Sequence, residues 1–212
     1  MMDRVYFRLA SGKVITPYET YGIFLKAYDA PPPAPKVFMV DVEGADGAVD
    51  MSEWSGDVKY ENRPVSVQLL DTIGNYKSLL NSISGRKCDI WFSNDTLHYY
   101  TGRFTNSTAS TRRHITDIEI EFTCEPWKLS KAVTKVTSAV SSNTQLSLKA
   151  ERKPCIPKVT LTQACTLTWD GEAHQLQAGE HTPYWLVVTD ERKTLTVNGS
   201  GNITLEWRDG VI

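Results

Sequence analysis

The absences in this chain narrow its function first. No apolar run approaches ~18 residues, so nothing here is long enough to cross a bilayer as a helix. The start, Met1-Met2-Asp3-Arg4-Val5, has neither the basic segment nor the apolar core of a secretory signal, and synthesis in a cytosol is expected. Cysteine is scarce. Cys88, Cys124, Cys155 and Cys165 lie too far apart for paired metal-ligand motifs, and a reducing compartment argues against disulfides. Charge of either sign is not in excess: the formal net charge is −2 and the pI about 6.1. That balance gives no electrostatic reason to expect DNA or a membrane as the primary partner.

Catalytic chemistry is equally thin. Gly-x-Ser-x-Gly does not occur, Gly199-Ser200-Gly201 reads as a turn, and no glycine-rich phosphate loop precedes a helix. The four histidines, His98, His114, His174 and His181, show no metal spacing. Asp46, Asp50 and Glu53 cluster in one surface loop, where a glycosidase pair would lack the burial that separates two carboxyl pKa values. A calcium loop fails on order: counted from Asp41, Ala45 and Asp46 occupy the fifth and sixth places, where a ligand and a glycine belong. The expectation is therefore no catalytic residue, no metal ligand and no cofactor.

What is present is a β-rich globular pattern. Hydrophobic residues make up 41% and charged residues 23% of 212 residues, enough for a buried core. The chain is organised around residues 40–70. Gly44 and Gly47 bracket Ala45-Asp46 in a tight loop. Asp50 and Ser52 suit a second turn. From Val58 the apolar residues alternate with the period of a half-buried strand, and Arg63-Pro64 marks a bulge or an edge. Residues 30–35, Ala-Pro-Pro-Pro-Ala-Pro, predict a stiff surface connector between strands rather than a proline-rich ligand.

Downstream, Ile73, Tyr76, Leu79, Leu80 and Ile83 predict one helix capped at Gly85. Residues 88–104 predict a hairpin and 106–113 a polar loop tip ending in Arg112, Arg113 and His114. Ile118, Ile120, Phe122 and Cys124 then alternate with Asp117, Glu119, Glu121 and Thr123, a strand whose acidic face meets water or a basic neighbour. Residues 130–150 read as a solvated connection or a weak strand pair. Short strands follow at 156–161, 167–169, 184–188, 195–197 and 203–207, with glycine and asparagine turns, which indicates an antiparallel sandwich.

Several of these stretches resemble the distal tail protein family of long-tailed phages and prophages. They are the Gly44-to-Arg63 loop and crossing, Tyr21-Gly22-Ile23-Phe24-Leu25, Lys36 to Val42, Tyr99-Tyr100-Thr101-Gly102-Arg103-Phe104, and Ile118 to Lys128 with Cys124-Glu125-Pro126-Trp127. Glu43 departs from the family, which often has proline before the first loop glycine. The last third matches only loosely.

The resemblance implies a mainly β chain in two parts. Residues 1–130 would form an N-terminal β-sandwich or barrel-like ring-forming domain with one helix and an extended hairpin. Residues 131–212 would form a small galectin-like β-sandwich with its connecting segment. It also implies a structural virion component, not an enzyme: a homo-hexameric ring at the tail tip. Its implied partners are the tail tube protein, the tape-measure end, a tail-associated lysin or tip protein and, at the periphery, receptor-binding proteins. DNA would pass through unread, and no membrane is involved. The residues expected at contacts are Gly44, Asp46, Gly47, Asp50 and Trp54 in the central loop, with Arg112 and Arg113 facing the acidic strand of a neighbouring copy. Trp54 either plugs its own domain, the default, or anchors on a neighbour. The rival reading is a carbohydrate-binding sandwich that uses Trp169, Trp185, Trp207 and Tyr184.

Overall fold

The computed structural model describes residues 3–54 and 56–212, so the two leading methionines and Ser55 lie outside the description. The chain divides into two units, one running to Lys128 and one covering Leu129–Val211.

The first unit contains β1 (Val5–Leu9), β2 (Val14–Ile15), α1 (Pro17–Tyr21), β3 (Phe24–Asp29), β4 (Met39–Asp41), β5 (Ala48–Asp50), β6 (Arg63–Asp71), α2 (Tyr76–Ile83), β7 (Lys87–Phe92) and β8 (His98–Arg112). Strand β9 (Ile115–Ser130) runs through its end. The main sheet has the order β2-β1-β7-β8-β9-β6-β3, while β4 and β5 form a separate two-stranded ribbon. Strands lie ~4.8 Å apart, so four steps across a flat sheet would separate β3 from β7 by nearly 20 Å. Yet the Tyr28 and Phe92 rings from those strands stack with centroids 3.7 Å apart. Phe7 of β1 likewise reaches Phe122 of β9 at 5.5 Å. The sheet is rolled upon itself around one core, as a barrel is.

Alternation decides what enters that core. In β9, Ile118, Ile120, Phe122 and Cys124 are all buried. In β6, Val65, Val67 and Leu69 are fully buried, and the nine residue pairs from Arg63↔Cys124 to Asp71↔Thr116 hold the two strands in register. Pro64 precedes the stretch of β6 that pairs with β3, Ser66 to Leu70, so its missing N–H costs no ladder bond on that side.

Helix α2 starts at Tyr76, later than its apolar spacing predicts. Ile73 is 66% exposed, because the turn before the helix is set by Asp71. That buried carboxylate accepts the N–H groups of Ile73 and Gly74 at 2.9 Å and of Tyr76 at 2.7 Å. It thereby fixes the turn before the helix and satisfies the first helical donor, the Tyr76 N–H, while Asn75 makes no side-chain cap. The C-cap is Ser84, and Gly85 follows it with φ +68°, the left-handed terminating position expected of it. Helix α1 was not predicted, although Thr16 before Pro17 carries the signal, a proline at the first helical position.

The second unit contains β10 (Thr134–Val140), β11 (Thr144–Leu148), β12 (Lys158–Leu161), β13 (Cys165–Trp169), β14 (Glu172–Leu176), β15 (Gly179–His181), β16 (Lys193–Gly199), β17 (Gly201–Trp207) and β18 (Gly210–Val211). Two four-stranded sheets, β10-β17-β12-β15 and β11-β16-β13-β14, share a core of Val159, Leu161, Ile203 and Leu205 from one and Leu148, Leu167, Leu195 and Val197 from the other. This is a sandwich. Strands β10 and β11 belong to opposite sheets rather than forming the weak pair expected from 130–150.

Residues 198–202 carry the chain from one sheet to the other. Gly201 has φ +96°, and a Cβ there would lie 2.4 Å from Thr162 Oγ1. Residues 184–188 form no strand. Leu186 and Val188 are buried, but Val188 makes only an isolated bridge to Cys155.

Candidate assembly surface

The ribbon of β4 and β5 carries most of the central-loop residues. Its stem is held by hydrogen bonds from Lys36 N to Lys59 O (2.7 Å) and Glu61 N to Ala34 O (2.8 Å). Gly44 and Gly47 take φ values of +87° and +79°, and a Cβ at either would meet open space. It is therefore the left-handed backbone, not crowding, that asks for glycine. Asp50 Oδ1 accepts the Ser52 N–H at 2.9 Å, and Ser52 Oγ accepts the Phe38 N–H at 2.8 Å. The Ser52 hydroxyl, and after it the Ser52 N–H, donate to the Asp50 carboxylate and lower its pKa.

Across the ribbon Val40 stands opposite Val49. By the period of two, Phe38, Val42 and Met51 share that face. Its side chains are in solvent: Phe38 is 58% exposed, Val42 49% and Val49 45%. Trp54 beyond them is 74% exposed, so it does not plug its own domain. A two-stranded ribbon is marginal in water without a layer against its apolar face.

Arg112 and Arg113 lie at the other end of the molecule's central strands. Residues 106–112 form a strand, not a loop, and the two-residue turn Arg113-His114 joins β8 to β9. Arg113 adopts φ +50° there, the backbone that such turns demand. The ribbon joins β6 at its Arg63 end, whereas Asp71 and Thr116 pair near the tip of the arm formed by residues 105–118 of β8, the turn and β9, so the two groups of residues belong to opposite ends of a strand ~30 Å long. One copy does not bring them together. The acidic face of β9 is partly answered within the chain, since Lys26 Nζ donates to Asp117 at 2.8 Å.

Arg63 and Asp95 hold neighbouring segments of the first unit together. Arg63, 3% exposed, donates to Ala30 O at 2.9 Å and lies over the Tyr100 ring. Burial lowers its pKa. Burial pushes the Asp95 carboxyl up, but hydrogen bonds from Lys128 (2.7 Å) and His98 (3.1 Å) overcome this and hold it down at about 2. Cys88 and Cys124 are buried on either side of Gly102, and burial lifts both thiols to about 12. They are poor nucleophiles. Among the described residues no three His, Cys, Asp or Glu side chains group as a metal site requires.

In the second unit the aromatics divide. Trp169 and Trp207 are buried in the core, and Trp185 stacks on His174 at 4.0 Å. Only Tyr184, 79% exposed, offers an open ring among the four proposed for sugar. No described helix is long and apolar enough to cross a membrane.

No family model and no curated protein matches the sequence. Solved structures match the fold. The crystal structure of the SPP1 Dit protein (gp 19.1) superposes over the whole of both chains with a TM-score of 0.71 at 12% identity. The fold is that of a phage Dit protein. SPP1 Dit is described as a paradigm of the hub adsorption apparatus in phages that infect Gram-positive bacteria. At 12% identity the likeness is one of backbone course through both units, from β1 to β18.

Proposed function

We propose that this chain is a distal tail protein, a structural adaptor of a phage or prophage virion, whose copies close into a hexameric ring at the tail tip. The ring would join the tail tube protein and the tape-measure end to a tail-associated lysin or tip protein and to peripheral receptor-binding proteins, with DNA passing through its lumen. The observation that carries this reading is the full-length match to the Dit fold.

Physical features of the first unit support it. Strand β7 accompanies β8 only to the Lys87↔Arg103 pair, so the outer edge of β8 beyond that point carries no strand among the described residues. At the far end of the sheet, β3 has a second edge with no strand against it among the described residues. Exposed edges are normally blunted or paired. A β3 edge laid against the β8 edge of the next copy continues the sheet between subunits and repeats one heterologous contact around an axis. Ring closure then allows each contact to be modest.

A carbohydrate-binding role for the galectin-like second unit has less support, because Trp169 and Trp207 are core residues. Light scattering with negative-stain imaging tests the adaptor reading. A six-fold annulus with six times the 23.8 kDa chain mass is expected; a monomer at every concentration overturns it.

A further inference from the structure

The ribbon and the arm tip carry opposite chemistry at opposite ends of β6. Between residues 37 and 58 the chain has six carboxylates (Asp41, Glu43, Asp46, Asp50, Glu53 and Asp57) and no lysine, arginine or histidine. These frame the open face of Phe38, Val42, Val49 and Met51 and the exposed ring of Trp54. At the Asp71 end an open groove of about 580 Å³ runs between the α2 start and the arm, lined by Ile73, Tyr76, Lys77, Thr111, His114 and Thr116. Arg112 and Arg113 lie in the chain between the lining residues Thr111 and His114, and the apolar residues Ile73 and Ile115 are 66% and 47% exposed. One surface is acidic and apolar, the other basic and apolar.

We infer that the ribbon of one copy seats, head to tail, in the groove beside α2 of a second copy. This rests on the self-assembly proposed above and names a contact additional to the strand edges. A second copy fits for two reasons. The chain itself supplies the complementary surface, which is the requirement of a heterologous contact. The alternative of two ribbons meeting face to face sets six carboxylates against six, which like-charge repulsion opposes. The apolar side chains furnish the buried centre and the charges the rim, which is how specific interfaces are divided.

A charge swap tests the contact. One full-length variant carries Asp41→Lys, Asp46→Lys and Glu53→Lys; the other carries Lys77→Glu, Arg112→Glu and Arg113→Glu. Each alone presents like charges at the contact, so its mass should fall below the wild-type mass and its association should weaken at least about tenfold. Mixed in equal amounts, each reversed ribbon meets a reversed groove, and assembly should return with the two variants alternating. Circular dichroism confirms that each variant folds. If a triple variant does not, the single reversals Asp46→Lys and Arg112→Glu carry the same test. A wild-type mass for either folded variant alone, or a mixture that stays dissociated, overturns the head-to-tail contact while leaving the ring standing. A wild-type chain that never self-associates overturns both.

Discussion

The β4–β5 ribbon and the C-terminal sandwich both carry large apolar side chains on their strands, and these meet opposite fates. In β16 and β17, Leu195, Val197, Ile203 and Leu205 are fully buried, because the chain switches sheets at residues 198–202 and supplies the opposing layer itself. In the ribbon, Phe38, Val42 and Val49 remain open, with no second layer against them among the described residues. Binary pattern therefore states that a face must be covered, not by what. Where a chain leaves its own apolar face open, the face is a candidate interaction surface.

That contrast can be broken in measurable ways. The largest effect is expected at the self-completed layer, where Leu205→Ala leaves a cavity in the sandwich and should cost about 2–5 kcal/mol in a denaturant melt. Within the rolled sheet, Gly102→Ala should follow. A Cβ at Gly102 would sit 2.4 Å from Cys124 Sγ and 2.8 Å from the Thr123 carbonyl, so β8 must move off β9. Overpacking of this kind costs roughly 1–3 kcal/mol or more, and its sign is read in the same melt.

A smaller effect is expected from pH. Asp95 is held down at about 2 in the folded chain, against an unfolded value near 3.9. Its contribution is complete above about pH 4 and is lost as pH falls toward 2, so stability drops across that window. Asp95→Asn should remove about 1–2 kcal/mol at pH 7 and flatten that part of the curve. Smallest of all is Phe38→Ala on the open ribbon, which should move the melt of the unassociated chain by less than about 0.5 kcal/mol while reducing its assembled fraction. A large loss of monomer stability there would mean that the ribbon face is packed, and the contrast would fail.

The core was the most legible part of the sequence, because burial of one face imposes a period of two. Ile118 to Cys124 and Val65 to Leu69 were readable for that reason. The arm was not. Residues 105–112 are threonines, serines, one asparagine and one alanine ending in an arginine, largely exposed, so no period marks the strand; its geometry comes from backbone pairing with β9. Residues 184–188 misled in the other direction. Leu186 and Val188 are buried as a strand's would be, but they are placed by a turn after Pro183 and a single bridge. Trp54 was misread because composition cannot distinguish an aromatic that fills a core from one awaiting another chain. Only its 74% exposure separates the two.

The placement of Asp209 bears on how the second unit yields to force. Its carboxylate accepts from Trp207 Nε1 and the Glu151 N–H, and it also binds Thr134, while its carbonyl accepts the Ser130 N–H. The unit's two ends are thus clasped beside the first rung of the β10–β17 ladder, Thr134↔Trp207. A pull that separates those ends would load the rungs one after another toward Val140↔Gly201, the geometry of a zip rather than of a shear. One acidic side chain stands where such tearing would begin.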